Sequence, residues 1–403
     1  MTKPLSHIRV LDLTRILAGP WATQLLSDLG AEVIKIERPG EGDDTRVWGP
    51  PFIQNADGSD GDAAYFLSAN RGKKSVAIDI AKPEGQNLVR QLALKSDVFI
   101  ENFKLGGLAK YGLDYASLSA ANPRLVYCSI TGFGQDGPYA KRAGYDFMIQ
   151  GMSGLMSVTG EADGMPLKVG VAVSDLFTGL YAANAVQAAL IDRERSGTGT
   201  HIDMALLDSQ IAALANQNTN YLVSGNAPGR MGNAHPNIVP YQAFETADGH
   251  IILAVGNNRQ FGKFCEIAGL NDIPHDPRFA DNKQRVAHRE ELVAIVADAM
   301  KQRTTAGWIE VLEAASVPCG PINQIDQVFA DPHVAHRTLQ VTGTRDDGTK
   351  TPTVANPIRF NGAQMVSDEP VPALGGHTDQ VLRDVLSLTD TELETLKDGT
   401  TIE

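Results

Sequence analysis

Residues 8–37, IRVLDLTRILAGPWATQLLSDLGAEVIKIE, decide the architecture. Ile8 to Leu13 is a short apolar run bounded by polar residues, and it reads as a strand. A helix follows over Pro20 to Leu29. Proline suits its first turn, and Trp21, Leu25 and Leu29 share one stripe. Glu32 to Glu37 returns to strand. Strand, helix and strand in such quick succession predict a parallel pair joined by a crossover helix.

The alternation continues outward from this unit. Strands are expected at Ser75 to Ile80, Asp97 to Glu101 and Arg124 to Ile130, with helices at Pro83 to Lys95 and near Leu105 to Lys110. The pattern is that of an α/β, doubly wound parallel sheet, in which ligands sit beyond the carboxyl ends of the strands. Arg15 follows the first strand, Arg38 the second, and Asn102, Phe103 and Lys104 the fourth. Cations gathered at one rim of a chain with net charge -13 point to a polyanionic ligand such as a nucleotide-type phosphate. Taken singly, each is also an ordinary solvated charge.

At 403 residues the chain exceeds one hydrophobic core, so two domains are expected. The texture changes over Ser224 to Pro240, where Gly, Asn, Pro and Arg crowd together. Beyond it, Tyr241 to Val255 reads as two strands around a turn at Asp248 and Gly249. Helices are expected at Gln260 to Ala268, His288 to Gln302 and Thr305 to Ala315, the last capped by Thr304. This segment is a smaller α+β domain. The tail after Val341 ends in a helix near Thr378 to Leu386 and packs back on the larger domain. The expected division is 1–205 with 331–403 as the large domain, 206–225 as linker, and 226–330 as the small domain.

The acidic balance argues against nucleic-acid and anionic-membrane partners, leaving small molecules. Cys128, Cys265 and Cys319 lack metal spacing and suit a reducing compartment. The first apolar run begins too soon after Met1 for a leader peptide, so a cytoplasmic protein is expected. Gly132, Gly134 and Gly137 spell a dinucleotide fingerprint, but Pro138, Tyr139, Lys141 and Arg142 follow where a helix should start; a tight turn near a phosphate fits better. No metal-binding helix, phosphate-cradling loop or serine-hydrolase elbow is present, and no metal is expected.

The run from Val169 to Ile191, VGVAVSDLFTGLYAANAVQAALI, holds one charged side chain, Asp175. Burying an unpaired carboxylate costs several kcal/mol, on the order of the transfer penalty for buried charge. Two readings offset that cost. Asp175, beside Ser174, caps a helix beginning near Leu176, or it is a desolvated nucleophile able to attack an acyl group.

Longer motifs point to a family. VLDLTRILAGPWATQLLSDLGAEVIKIERPGEGDDTR, NRGKKSVAIDI, SITGFGQDGP and VAVSDLFTGLYAA, in this order, resemble family III coenzyme A transferases, the formyl-CoA and carnitine type, from Ile8 to about Leu386. GDDTRVWGPPF, RAGYDFMIQGMSGLM, IVPYQAF and GPINQIDQVFADP look most like the branch that moves CoA between dicarboxylates, such as succinyl-CoA and glutarate. The resemblance places Asp175 on the family's nucleophilic aspartate, which forms an aspartyl anhydride and then an aspartyl-CoA thioester. A helix N-terminus there helps hold the carboxylate ionised. No permanent cofactor is implied, only a CoA thioester as co-substrate. The family also implies an interlocked homodimer.

By match, Leu17 and Ala18 line the pantetheine arm, Arg38 meets the adenine and phosphate end, and Asn102, Phe103, Lys104 and Lys110 extend that wall. Tyr145 and Asp146 fall in a CoA-lining segment, and Arg71, Lys73 and Lys74 are further phosphate candidates or plain solvated charges. The remote carboxylate of a dicarboxylate needs a cation, for which Arg46, His235 and Arg259 are candidates. The competing reading of Arg46 is a salt bridge to Asp43 or Asp44. Formyl-CoA transferases place glutamine where this chain has Leu17, and glycines where it has Gly256 to Gln260, which argues against oxalate and formyl specificity. The related 2-methylacyl-CoA racemases are the alternative. They place His-Asp where this chain has Tyr145-Asp146, and tyrosine of ordinary pKa is a poor base.

Overall fold

The computed structural model describes residues 3–403. Six parallel strands form the main sheet: β1 (Arg9–Leu13), β2 (Glu32–Glu37), β3 (Lys73–Ala77), β4 (Val98–Glu101), β5 (Val126–Thr131) and β6 (His201–Ala205). Their spatial order is β3-β2-β1-β4-β5-β6. The winding reverses between β1 and β4, and a crevice for ligands opens at such a point.

Both sheet faces are covered, as all-parallel sheets require. Strand side chains alternate, so Val10, Val33, Val98 and Val126 bury on one face against helices α1 (Ala18–Asp28) and α4 (Val173–Ser196). Leu11, Ile34, Phe99 and Tyr127 bury on the other, against α2 (Pro83–Leu94), the helix Thr378–Leu386 and a further helix, Asp390–Asp398, that follows the one expected to end the tail. A short helix, α3 (Asp146–Met152), lies between β5 and α4 in the chain. Small residues let α1 and α4 close on each other: a Cβ on Gly179 would stand 2.7 Å from the Ala18 carbonyl oxygen.

Several boundaries differ from expectation. The third strand ends at Ala77, because Ile78 instead bridges antiparallel to Ile402. The helix expected near Leu105 is a single 3-10 turn, Ala109–Tyr111, flanked by Gly106 and Gly112 at positive φ. Residues 206–225 are not a linker but two helices, Leu206–Ala213 and Asn216–Ser224. Leu206 joins the sheet core, so tertiary burial overrides the weak local signal.

The chain divides into two compact units. The first runs to Leu155 and adds Lys168–Ser224 and Pro332–Glu403; the second comprises Met156–Leu167 and Gly225–Asp331. The second unit has a three-stranded antiparallel sheet, Tyr241–Glu245, His250–Ala254 and Cys319–Pro321, with His250–Ala254 central. Its core gathers Phe244, Ile251, Phe264, Trp308 and Leu312. Thr304 caps the helix Thr305–Ala314 by accepting from Gly307 N–H at 3.2 Å. No helix is long and apolar enough to cross a membrane among the described residues.

Candidate active site

A cleft of about 430 Å³ opens beyond the carboxyl ends of β1, β4 and β5. Its wall comes from Arg15 to Ala18 after β1, Asn102 to Leu105 after β4, and Ala140 to Tyr145 after β5, with Lys110, Tyr111 and Asp175 completing it. Five cations line it, Arg15, Lys104, Lys110, Lys141 and Arg142, although the chain as a whole is acidic. A cleft whose lining is dominated by one sign of charge, here five cations against Asp175, focuses its field on an anion. Arg38 lines an adjacent cleft of about 480 Å³ that shares Arg15, Phe103 and Tyr111 with the first. Arg38 is exposed and pairs with Glu41 at 2.9 Å, a surface contact easily exchanged for a ligand phosphate.

Asp175 sits in the first turn of α4, only 9% exposed. It does not cap the helix. The N-cap position is Ala172, and the missing cap is supplied from α3: Asp146 accepts from Ser174 N–H at 2.8 Å and from Gln150 Nε2 at 2.8 Å. The Asp175 carboxylate has no hydrogen-bond donor among the described residues. Desolvation, with Asp146 as a nearby like charge, pushes its carboxyl up to about 7. The dipole of the 24-residue helix acts the other way and favours the anion. The result is a weakly solvated carboxylate at the foot of a basic cleft, free to form a bond.

The other wall residues have distinct places. Tyr145 is 66% exposed at the cleft. Asn102 lines the cleft, but both ends of its amide hold Arg15: it accepts from Arg15 N–H at 3.0 Å and donates to the Arg15 carbonyl at 2.8 Å. Buried Glu101 accepts from Phe103 N–H at 2.7 Å and fixes the next peptide of that wall. Burial raises the Glu101 carboxyl to about 7.

Lys141 and Arg142 were legible only as reasons against a dinucleotide fold. They reach the cleft because the Gly132 and Gly144 backbones touch; a Cβ on either would lie within 2.6 Å of the other's Cα, so the loop folds back over β5. Arg142 is stacked over Tyr139 at 4.5 Å.

Four candidate cations are committed elsewhere. Arg46 is buried and bridges Glu37 at 2.7 Å and Asp62 at 2.8 Å, so it pairs with neither Asp43 nor Asp44 and lines neither cleft. Arg71 pairs with Asp28 at 2.6 Å and Lys73 with Asp12 at 3.2 Å, both buried. Lys74 pairs with Glu32 at 2.7 Å. His235 and Arg259 belong to the second unit. There His235 Nδ1 accepts from Asn237 N–H at 3.0 Å, its ring lies 5.1 Å from that of Tyr241, and Arg259 is exposed. Desolvation and the charge of Arg289 lower the His235 pKa.

The model of CoA-transferase family III matches residues 5–378. The chain belongs to CoA-transferase family III. Succinate–glutarate CoA-transferase of Agrobacterium fabrum is 56% identical over 95% of this chain and 96% of that protein. Succinyl-CoA:glutarate CoA-transferase of Homo sapiens is 44% identical over 96% of this chain and 87% of that protein. Among solved structures, a CAIB/BAIF family protein from Brucella suis superposes with a TM-score of 0.84 at 52% identity, covering 96% of this chain and all of the other. Within family III, the transferase resemblance therefore lies with the succinyl-CoA and glutarate branch.

Proposed function

We propose that the protein transfers CoA from succinyl-CoA to glutarate or a close dicarboxylate, with Asp175 as nucleophile. The observation that carries this reading is the Asp175 carboxylate, buried at the foot of a cation-lined cleft with no donor among the described residues. A carboxylate oxygen of Asp175 attacks the thioester carbonyl carbon, the C–S bond breaks, and CoA leaves as thiolate. The thiolate then attacks the aspartyl carbonyl of the anhydride, releasing succinate and leaving an aspartyl-CoA thioester. Glutarate attacks that carbonyl and displaces the thiolate again. The thiolate finally takes the glutaryl group and restores the Asp175 carboxylate. Water must stay out while the anhydride exists, and the apolar run around Asp175 serves that need.

The cations along the cleft supply the CoA phosphate contacts, with Leu17 and Ala18 beside the pantetheine arm. Asp146 acts on Asp175 by holding the first turn of α4. His235 and Arg259 remain the candidates for the remote carboxylate. A homodimer is supported by the exposed apolar stripe of α4, where Phe177, Leu180, Tyr181 and Ile191 recur at helical spacing. A cytoplasmic setting accords with three free cysteines.

The test incubates the protein with succinyl-CoA and a panel of acids and reads acyl-CoA masses, with Asp175→Ala alongside. Glutaryl-CoA formed by the wild type and absent from the variant is the expected result. Products that survive the substitution, or none from any acid, overturn the reading.

A further inference from the structure

The loop between β1 and α1, Thr14 to Leu17, puts Arg15, Ile16 and Leu17 in the cleft wall, and its backbone is held by four side chains, two on strands and two in the loops that follow strands. Asp12 on β1 accepts from Thr14 N–H at 2.8 Å. Asn102, after β4, clamps the Arg15 peptide from both sides. Lys35 on β2 donates to the Thr14 carbonyl at 2.8 Å and to Asp43 at 2.9 Å, and Asp43 accepts from Ile16 N–H at 3.2 Å. Lys35 is wholly buried and Asp43 nearly so.

Ile16 occupies φ +74, a left-handed conformation that a β-branched residue resists. Such strain persists only where the surroundings over-determine it, and here four side chains do so. The consequence falls on the next two residues. Leu17 and Ala18 are turned to the cleft at the start of α1, and the Ala18 carbonyl rests against Gly179, one turn beyond Asp175.

We infer that Asp43, which does not line this cleft, is a positioning residue of the transfer site: it holds Ile16 left-handed so that Leu17 and Ala18 stand in register with Asp175. This rests on the proposed acyl transfer. Burial pushes the Asp43 carboxyl up, but Lys35 and Thr45 override it and leave it at about 2, so Asp43 stays anionic throughout any assay range.

The test is a double-mutant cycle of Asp43→Asn and Ile16→Gly, read as kcat and KM for succinyl-CoA and, independently of turnover, as the Kd for CoA by calorimetry. An amide at 43 can satisfy Lys35 or the N–H groups of Ile16 and Thr45, but not both. Glycine adopts positive φ without the clash. Asp43→Asn is expected to lower kcat about tenfold with a smaller change in KM, and to lower it less than about threefold when Gly already stands at 16. Equal losses in both backgrounds make Asp43 a partner of Lys35 only, and overturn the inference. If Asp43→Asn does not fold, Asp43→Ala joined to Lys35→Met takes its place, removing both buried charges together. A wild type that transfers no CoA refutes the proposed function. The Kd cycle still decides for the loop: coupling in Kd supports positioning, and no coupling overturns it.

Discussion

Asp175→Asn should abolish transfer and, above neutral pH, make the protein more stable. The ordinary carboxyl value of 3.8 rises to about 7 in the fold, chiefly through desolvation. That difference corresponds to about 4 kcal/mol by which folding disfavours the ionised form. Below about pH 4 the group is protonated in both states and contributes nothing. Between about pH 4 and 7 the unfolded chain releases its proton first, so stability falls as pH rises; above about 7 the deficit is constant. Asparagine has no charge to desolvate. Urea unfolding of wild type and variant at about pH 3, 6 and 8.5 should therefore give curves that nearly coincide at the acid end. They should separate progressively, the variant gaining up to about 4 kcal/mol at pH 8.5. Glu101, also raised to about 7, imposes the same slope on both proteins and cancels in the difference. A difference independent of pH, or a less stable variant at pH 8.5, would refute the account of Asp175 as a desolvated, unpaired carboxylate.

Activity should follow the same group: kcat/KM for succinyl-CoA falls about tenfold per pH unit below about 7, and Asp146→Asn, by removing a like charge, moves that limb to lower pH. An unmoved limb in the pH-rate profile would separate Asp146 from Asp175. Arg46→Ala strands Glu37 in the interior, while Asp62 keeps Arg345, and should cost about 3–5 kcal/mol in denaturant unfolding. In whatever folded fraction remains, the KM ratio of dicarboxylate to monocarboxylate should not change; a selective rise for dicarboxylates would return Arg46 to the substrate. Gly179→Ala places a Cβ against the Ala18 carbonyl and should destabilise by about 1–3 kcal/mol while lowering kcat, whereas a neutral effect in both assays would show that α1 and α4 have room. Lys141→Ala with Arg142→Ala should raise the KM for succinyl-CoA and flatten its salt dependence, with kcat nearly kept; an unchanged KM would remove this loop from CoA binding.

What the sequence determined by itself is local. Apolar runs of strand length separated by amphipathic helices imply a parallel sheet buried on both faces, and the residues after each strand then fall at the rim where ligands bind. Arg15, Lys104 and Asp175 were legible because a charge beside, or within, an apolar run is conspicuous along the chain. The long motifs fixed the family for the same reason.

Only the tertiary structure decided what each charge does. Arg46 read equally as a substrate cation or as an ion-pair partner of Asp43 or Asp44 until Glu37 and Asp62 closed around it. Asn102 turned out to clamp Arg15, and residues 206–225 became helices because Leu206 had a core to enter. Lys141 and Arg142 joined the cleft through one contact between two glycines, and Ile16 took a backbone conformation foreign to its type under the pull of Asp43. Propensity and periodicity act over a few residues, whereas desolvation and pairing depend on neighbours brought together from distant parts of the chain. An ionisable side chain has no fixed role until its neighbours are known.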